Sequence, residues 1–170
     1  TAIDKNGIKN IVGAFYPPQK VLIDPTVLKT LDQRQLHAGL VEACKMGLTS
    51  DESLFSLIKN STNLFKDIEE IIIKSLKVKK QVVEEDPNEK GIRKILNFGH
   101  TIGHAIEKCS DYKISHGKAV AIGMVIATKG AFELGLSYDD YSDELLPILQ
   151  KNNLPTTCDF SADELYKVTL

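Results

Sequence analysis

Behind a short strand-like lead-in, apolar positions recur at helical spacing along most of the chain. The lead-in is segment 21–23, approached through the extended pair Pro17-Pro18 and closed by the turn residues Asp24 and Pro25. After it the pattern predicts helices over 33–48, 52–59 and 64–84, with Asp32, Asp51 and Asn63 placed to accept from the free N–H groups of each first turn. Further helices are predicted over 93–109, 117–134, 140–151 and from 162 onwards, the last opened by a capping box of Ser161 and Glu164. The block 117–134 is apolar nearly all round and belongs in the middle of a bundle. The chain is therefore expected to be mainly α.

Within this pattern, 93–116 holds three of the four histidines. On one continuous helix Arg93, Asn97, His100 and His104 fall at i, i+4, i+7 and i+11 and share a face, while Ile95, Phe98, Ile102, Ala105, Ile106 and Cys109 form a stripe that can dock on a core. Gly99 and Gly103 interrupt it at about 1 kcal/mol each relative to Ala, which suits a close approach of backbone or ligand. His100 and His104, one turn apart, can reach one metal ion, and His116 can join them from the next element; by spacing alone the pair serves equally well as surface or hydrogen-bonded core histidines. Arg93 and Asn97 on the same face suit an anionic, hydroxylated ligand. His116 opens the following helix, whose positive end disfavours imidazolium and keeps a ring nitrogen available to a metal.

Two other elements carry residues capable of chemistry. Glu42 and Lys45 are i, i+3 neighbours between Gly39 and Gly47, a surface ion pair in the simplest reading. Lys79 interrupts the stripe of Ile72, Leu76 and Val83, and either snorkels to water or faces a polar site.

Composition narrows the function classes. A chain of 170 residues can bury roughly 70% of its unfolded surface in a single core. With 21 basic against 23 acidic residues and no basic tract, nucleic acid is not an expected partner. Cys44, Cys109 and Cys158 are odd in number and widely spaced, which points to reduced thiols and a cytoplasmic location. The longest apolar run, 119–127, is too short to cross a bilayer, so no membrane partner is expected.

Taken together, GLVEACKMG, EKGIRKILNFGHTIGHAIE, HGKAVAIGM and KNIVGAFYPP closely resemble the 3-dehydroquinate synthase family of sugar-phosphate cyclases. The resemblance implies the helical C-terminal domain of the dehydroquinate synthase-like fold, with a short β remnant at the N-terminus: 1–26 from an NAD-binding α/β domain and 27–170 as the metal- and substrate-binding domain. It implies zinc, or cobalt, held by Glu42, His100 and His116, with His104 beside the metal as a polarising or proton-handling group. Lys45, Lys79, Arg93 and Asn97 match positions that bind substrate phosphate, carboxylate or hydroxyls, and Glu89 an acidic residue nearby. Lys9 and Asn10, with Val27, Leu28, Lys29 and Thr30, match positions on the NAD side.

The implied reaction is the cyclisation of 3-deoxy-D-arabino-heptulosonate 7-phosphate to 3-dehydroquinate with loss of phosphate, through redox, elimination and aldol steps without net oxidation. A homodimer is expected of the whole enzyme. A glycine-rich phosphate loop does not occur in the sequence, and the chain is expected to be a fragment that does not turn over by itself. Another sugar-phosphate cyclase, such as a 2-deoxy-scyllo-inosose synthase, and a non-catalytic helical metal-binding module are the alternative readings.

Overall fold

The computed structural model of the chain describes residues 2–6, 8–14, 16 and 18–169, except for the side chains of Asp4, Ile8, Lys9 and Asn10. Strands β1 (Ala2–Lys5) and β2 (Ile8–Gly13) pair antiparallel, with Ala2 opposite Gly13 and Ile3 opposite Val12. After a 3-10 helix at Pro25–Thr30 come α1 (Gln33–Ser50), α2 (Glu52–Asn60) and α3 (Leu64–Glu85). A second 3-10 helix, Ile92–Asn97, leads to α4 (His100–Cys109), α5 (His116–Glu133), α6 (Ser142–Lys151) and α7 (Ala162–Thr169). The mainly α expectation is borne out.

The predicted caps are in place. Asp32, Asp51 and Asn63 accept from the backbone N–H groups of Arg34, Leu54 and Lys66, supplying partners that the first turn of a helix lacks. Ser161 and Glu164 form the reciprocal capping box, Ser161 N donating to Glu164 Oε2 at 2.8 Å and Glu164 N to Ser161 Oγ at 3.3 Å. The apolar helix α5 is central. Its Val120, Ala121 and Met124 are buried with Val41 and Cys44 of α1 and Leu145 and Leu149 of α6. Its Ala119 and Ile122 meet Ile106 of α4 in a second cluster that Phe160 and Leu165 cover.

Two expected elements take a different form. Segment 21–23 is not a strand: Val21, Leu22 and Ile23 are exposed and pair with no other strand among the described residues, the pairing being taken by β1 and β2. The continuous helix over 93–109 is broken. Gly99 adopts a left-handed φ of 75°, so the chain turns between the 3-10 segment and α4, and Arg93 and Asn97 do not continue the helical face of His100 and His104. The break follows from packing on α5. A Cβ at Gly99 would lie 2.6 Å from Met124 Cγ and 2.8 Å from its backbone N, and one at Gly123 would run into the Gly99 carbonyl.

Candidate metal centre

The close approach of α4 to α5 brings the first residues of both helices together, and α1 lies across them. His100 opens α4, His116 opens α5, and Glu42 projects from the middle of α1. Glu42 Oε1 lies 3.4 Å from His100 Nε2 and 3.7 Å from His116 Nε2. One ligand atom from each of the three residues falls within 4.8 Å of the others. The His100 and His116 ring centroids are 5.2 Å apart.

Hydrogen bonding on the far side of each ring explains what these nitrogens can do. His100 Nδ1 donates to the Phe98 carbonyl at 3.2 Å, and His116 Nδ1 donates to Glu107 Oε2 at 3.1 Å. Both partners are acceptors, so each neutral ring turns an Nε2 lone pair towards Glu42 Oε1. That oxygen is buried and has no hydrogen-bond partner, while Glu42 Oε2 accepts from Lys45 Nζ at 2.6 Å. Lone pairs on a carboxylate and two imidazoles therefore converge on one point, an arrangement that a proton or a divalent cation relieves. Burial opposes the charge on Glu42, but His100, His116 and Lys45 outweigh it and hold the carboxyl far below the usual carboxylate range. The nearby Glu42 carboxylate raises the His116 pKa against the effect of burial, with Glu107 adding to the rise. Glu42, His100 and His116 are the donor set that zinc or cobalt takes with a coordination position to spare, so the residues present fit the group.

His104 stands next to this set without completing it. Its ring centroid is 5.5 Å from that of His100 and 5.5 Å from that of His116, its side chain is more than half exposed, and its Nδ1 donates to Glu107 Oε2 at 2.8 Å. Of the remaining expected site residues whose side chains are described, only Lys45 is bonded to a member of this set. Lys45 is buried, with 3% exposure, and is committed to Glu42. Asn97 Nδ2 donates to Glu89 Oε1 at 2.6 Å, and Arg93 Nη1 donates to the Pro87 carbonyl at 2.8 Å. Arg93 N also donates to Asp86 Oδ2, which gathers the loop before it by accepting from Gly91 N. Lys79 is exposed on α3. Val27 and Leu28 line an apolar cavity of about 540 Å³ that reaches Glu42, whereas Lys29 and Thr30 are exposed on the same 3-10 turn. Lys9 and Asn10 fall on β2, and their side chains lie outside the described residues.

Glu107 escaped the sequence pattern. It is 5% exposed and bonded to two histidines. The signal was present: 107 follows 100 and 104 at i+7, on the histidine face of α4.

An acid and two histidines converging from three helices, beside an apolar cavity, define a helical domain with a candidate metal centre. The 3-dehydroquinate synthase C-terminal family profile matches residues 39–170, and the 3-dehydroquinate synthase N-terminal profile matches residues 1–38. A 3-dehydroquinate synthase of Enterococcus faecalis (strain ATCC 47077 / OG1RF) is 43% identical over 172 aligned positions, covering 98% of this chain and 48% of the relative. One from Thermoanaerobacter pseudethanolicus is 46% identical over 154 positions, covering 87% of this chain and 43% of its own length. The chain belongs to the 3-dehydroquinate synthase family.

The chain spans about half the length of the curated relatives it matches. Among solved structures, the 2-epi-5-epi-valiolone synthase ValA from Streptomyces hygroscopicus subsp. jinggangensis 5008, with NAD+ and Zn2+ bound, superposes with a TM-score of 0.83 at 26% identity, covering 95% of this chain and 47% of that one. A 2-deoxy-scyllo-inosose synthase complexed with carbaglucose-6-phosphate, NAD+ and Co2+ superposes with a TM-score of 0.81 at 30% identity, covering 99% and 48%. No helix is long and apolar enough to cross a membrane among the described residues.

Proposed function

We propose that the chain is the metal-bearing part of a 3-dehydroquinate synthase, a carbon-oxygen lyase that cyclises 3-deoxy-D-arabino-heptulosonate 7-phosphate to 3-dehydroquinate and releases phosphate. The observation that carries the proposal is the buried, unpartnered Glu42 Oε1 facing the Nε2 atoms of His100 and His116. The naming of the curated relatives favours this reaction over those of the solved cyclases, at 43–46% identity against 26–30%.

Bound zinc or cobalt would supply Lewis acidity at substrate oxygens, and NAD a place for hydride to go and return from. The chain's own side chains do the rest. Lys45 neutralises Glu42 and turns its other oxygen to the histidines. His104, with Nδ1 fixed on Glu107, keeps Nε2 for holding or moving a proton on its exposed side. Arg93, Asn97 and Lys79 take the substrate's phosphate, carboxylate and hydroxyls, with Glu89 orienting Asn97. On this reading 1–26 belongs to the NAD-binding domain, 27–170 is the helical domain, and Val27, Leu28, Lys29 and Thr30 with Lys9 and Asn10 lie towards the dinucleotide. Turnover requires the dinucleotide-binding domain, and the whole enzyme works in the cytoplasm as a homodimer.

Product analysis of the full-length protein with NAD and zinc tests the proposal. Conversion of the heptulosonate phosphate to 3-dehydroquinate with one equivalent of phosphate is expected. No turnover of that substrate, with cyclisation of glucose 6-phosphate instead, would assign the protein to the 2-deoxy-scyllo-inosose synthases.

A further inference from the structure

One carboxylate oxygen is shared by two histidines of different expected roles. Glu107 Oε2 is 2.8 Å from His104 Nδ1 and 3.1 Å from His116 Nδ1, and the two rings lie nearly parallel, at an interplanar angle of 26°. Glu107 is almost fully buried, whereas His104 and His116 are both partly exposed. An ionised carboxylate only accepts, so both rings present Nδ1–H to it and both direct Nε2 away from it. For His116 that direction is towards Glu42 Oε1, 3.7 Å away.

We propose that Glu107 is a positioning residue that sets the tautomer and orientation of His116 as a metal ligand and of His104 as the neighbouring proton-handling group, coupling the two through a single oxygen. The inference rests on the reading of Glu42, His100 and His116 as the metal site. A carboxylate behind a metal-bound imidazole makes the ring a stronger donor and fixes its angle. Here the same atom also fixes the second ring, so a change at 107 acts on both together. Burial on α4 keeps the carboxylate in place: it follows Ala105 and Ile106, which are both inside the core. From that position its Oε2 meets the two Nδ1 atoms.

The test uses the full-length protein and zinc itself as probe. In the metal-free wild type, at a pH alkaline enough to keep the imidazoles neutral, ¹⁵N spectra of the histidine rings are expected to place the proton on Nδ1 of both His104 and His116. Glu107→Gln offers one neutral oxygen in place of the carboxylate. It is expected to lower zinc affinity about 10–100-fold and to return both rings to a mixture of tautomers. A residue with only a structural role would lower the unfolding temperature and leave the tautomers of the folded protein unchanged. A proton on Nε2 of His116 in the wild type overturns the proposal and needs no variant, as does Glu107→Gln binding zinc like the wild type. Failure of the underlying metal reading looks different: Glu42→Ala would then bind zinc as tightly as the wild type, whatever the tautomers.

Discussion

Lys45 Nζ donates to Glu42 Oε2 at 2.6 Å from a side chain that is only 3% exposed, so the charge that faces the two histidines is held by a charge from the same helix, one turn on. By spacing alone the pair reads as an i, i+3 surface contact, and by resemblance as a metal ligand and a substrate-binding lysine; burial of Lys45 against Glu42 makes it a partner of the centre's carboxylate instead. Lys45→Met keeps the volume and removes the donor. It is expected to lower stability by about 1–3 kcal/mol, as for a hydrogen bond between charged groups, measured by urea unfolding. It is also expected to weaken zinc binding, because Glu42 is then free to turn away. An unchanged urea midpoint would contradict the geometry.

The junction of α4 with α5 is the second structural requirement. Gly99→Ala places a side chain in a left-handed conformation and drives it into Met124. The combined strain and overpacking are expected to cost about 2–4 kcal/mol. Gly39→Ala, where an added Cβ meets nothing within 4 Å, is the control and is expected to be neutral or slightly stabilising. Equal stability of the two variants would show that the α4–α5 contact is wrong.

Much of the helical architecture could be read before the structure, because helix starts are local: Asp32, Asp51, Asn63 and the Ser161–Glu164 box sit at the helix starts, and the sequence announces them. The break at Gly99 could not be read, since the apolar period runs through it unbroken and only the approach of Met124 forces the left-handed turn. The hairpin of β1 and β2 was missed in favour of segment 21–23, whose apolar residues have the composition of a strand but no strand to pair with among the described residues. At the centre, the resemblance picked out Glu42, His100 and His116, and the structure brings them together, whereas spacing alone offered His100 and His104 as a ligand pair or, equally, as ordinary surface or core histidines. Glu107 went unread because an acid near the end of a helix ordinarily reads as solvated.

Proton and metal compete at His116. Its pKa is raised in the folded chain by Glu42, with burial opposing and Glu107 adding. In the metal-free chain its stabilising contribution is therefore complete below the unfolded value and is lost as the pH rises through the folded one. Zinc affinity should move in the opposite sense over that window, rising as the proton leaves. The difference in unfolding free energy between wild type and His116→Gln, followed across the window in chelator, is expected to shrink with rising pH. A difference that grows would reverse the assigned sign.

Thiol reactivity reports on the core. Burial pushes the Cys44 thiol up to about 12, while Cys109 and Cys158 are only partly covered. Ellman's reagent is expected to modify two thiols of the native chain before the third, which should react only on unfolding. Rapid modification of Cys44 under native conditions would mean that α1 and α5 do not pack as described.

The assignment of metal ligands is tested most directly by zinc affinity in two variants of the full-length protein, His100→Ala and His104→Ala, measured against a chromophoric chelator. Loss of His100 removes a nitrogen 3.4 Å from Glu42 Oε1 and is expected to lower affinity at least 100-fold. Loss of His104, which bonds to Glu107 and is not one of the three residues of the proposed donor set, is expected to leave affinity within about tenfold of the wild type. Equal loss of zinc in both variants would make His100 and His104 a simple ligand pair one turn apart and would contradict a centre built from Glu42, His100 and His116.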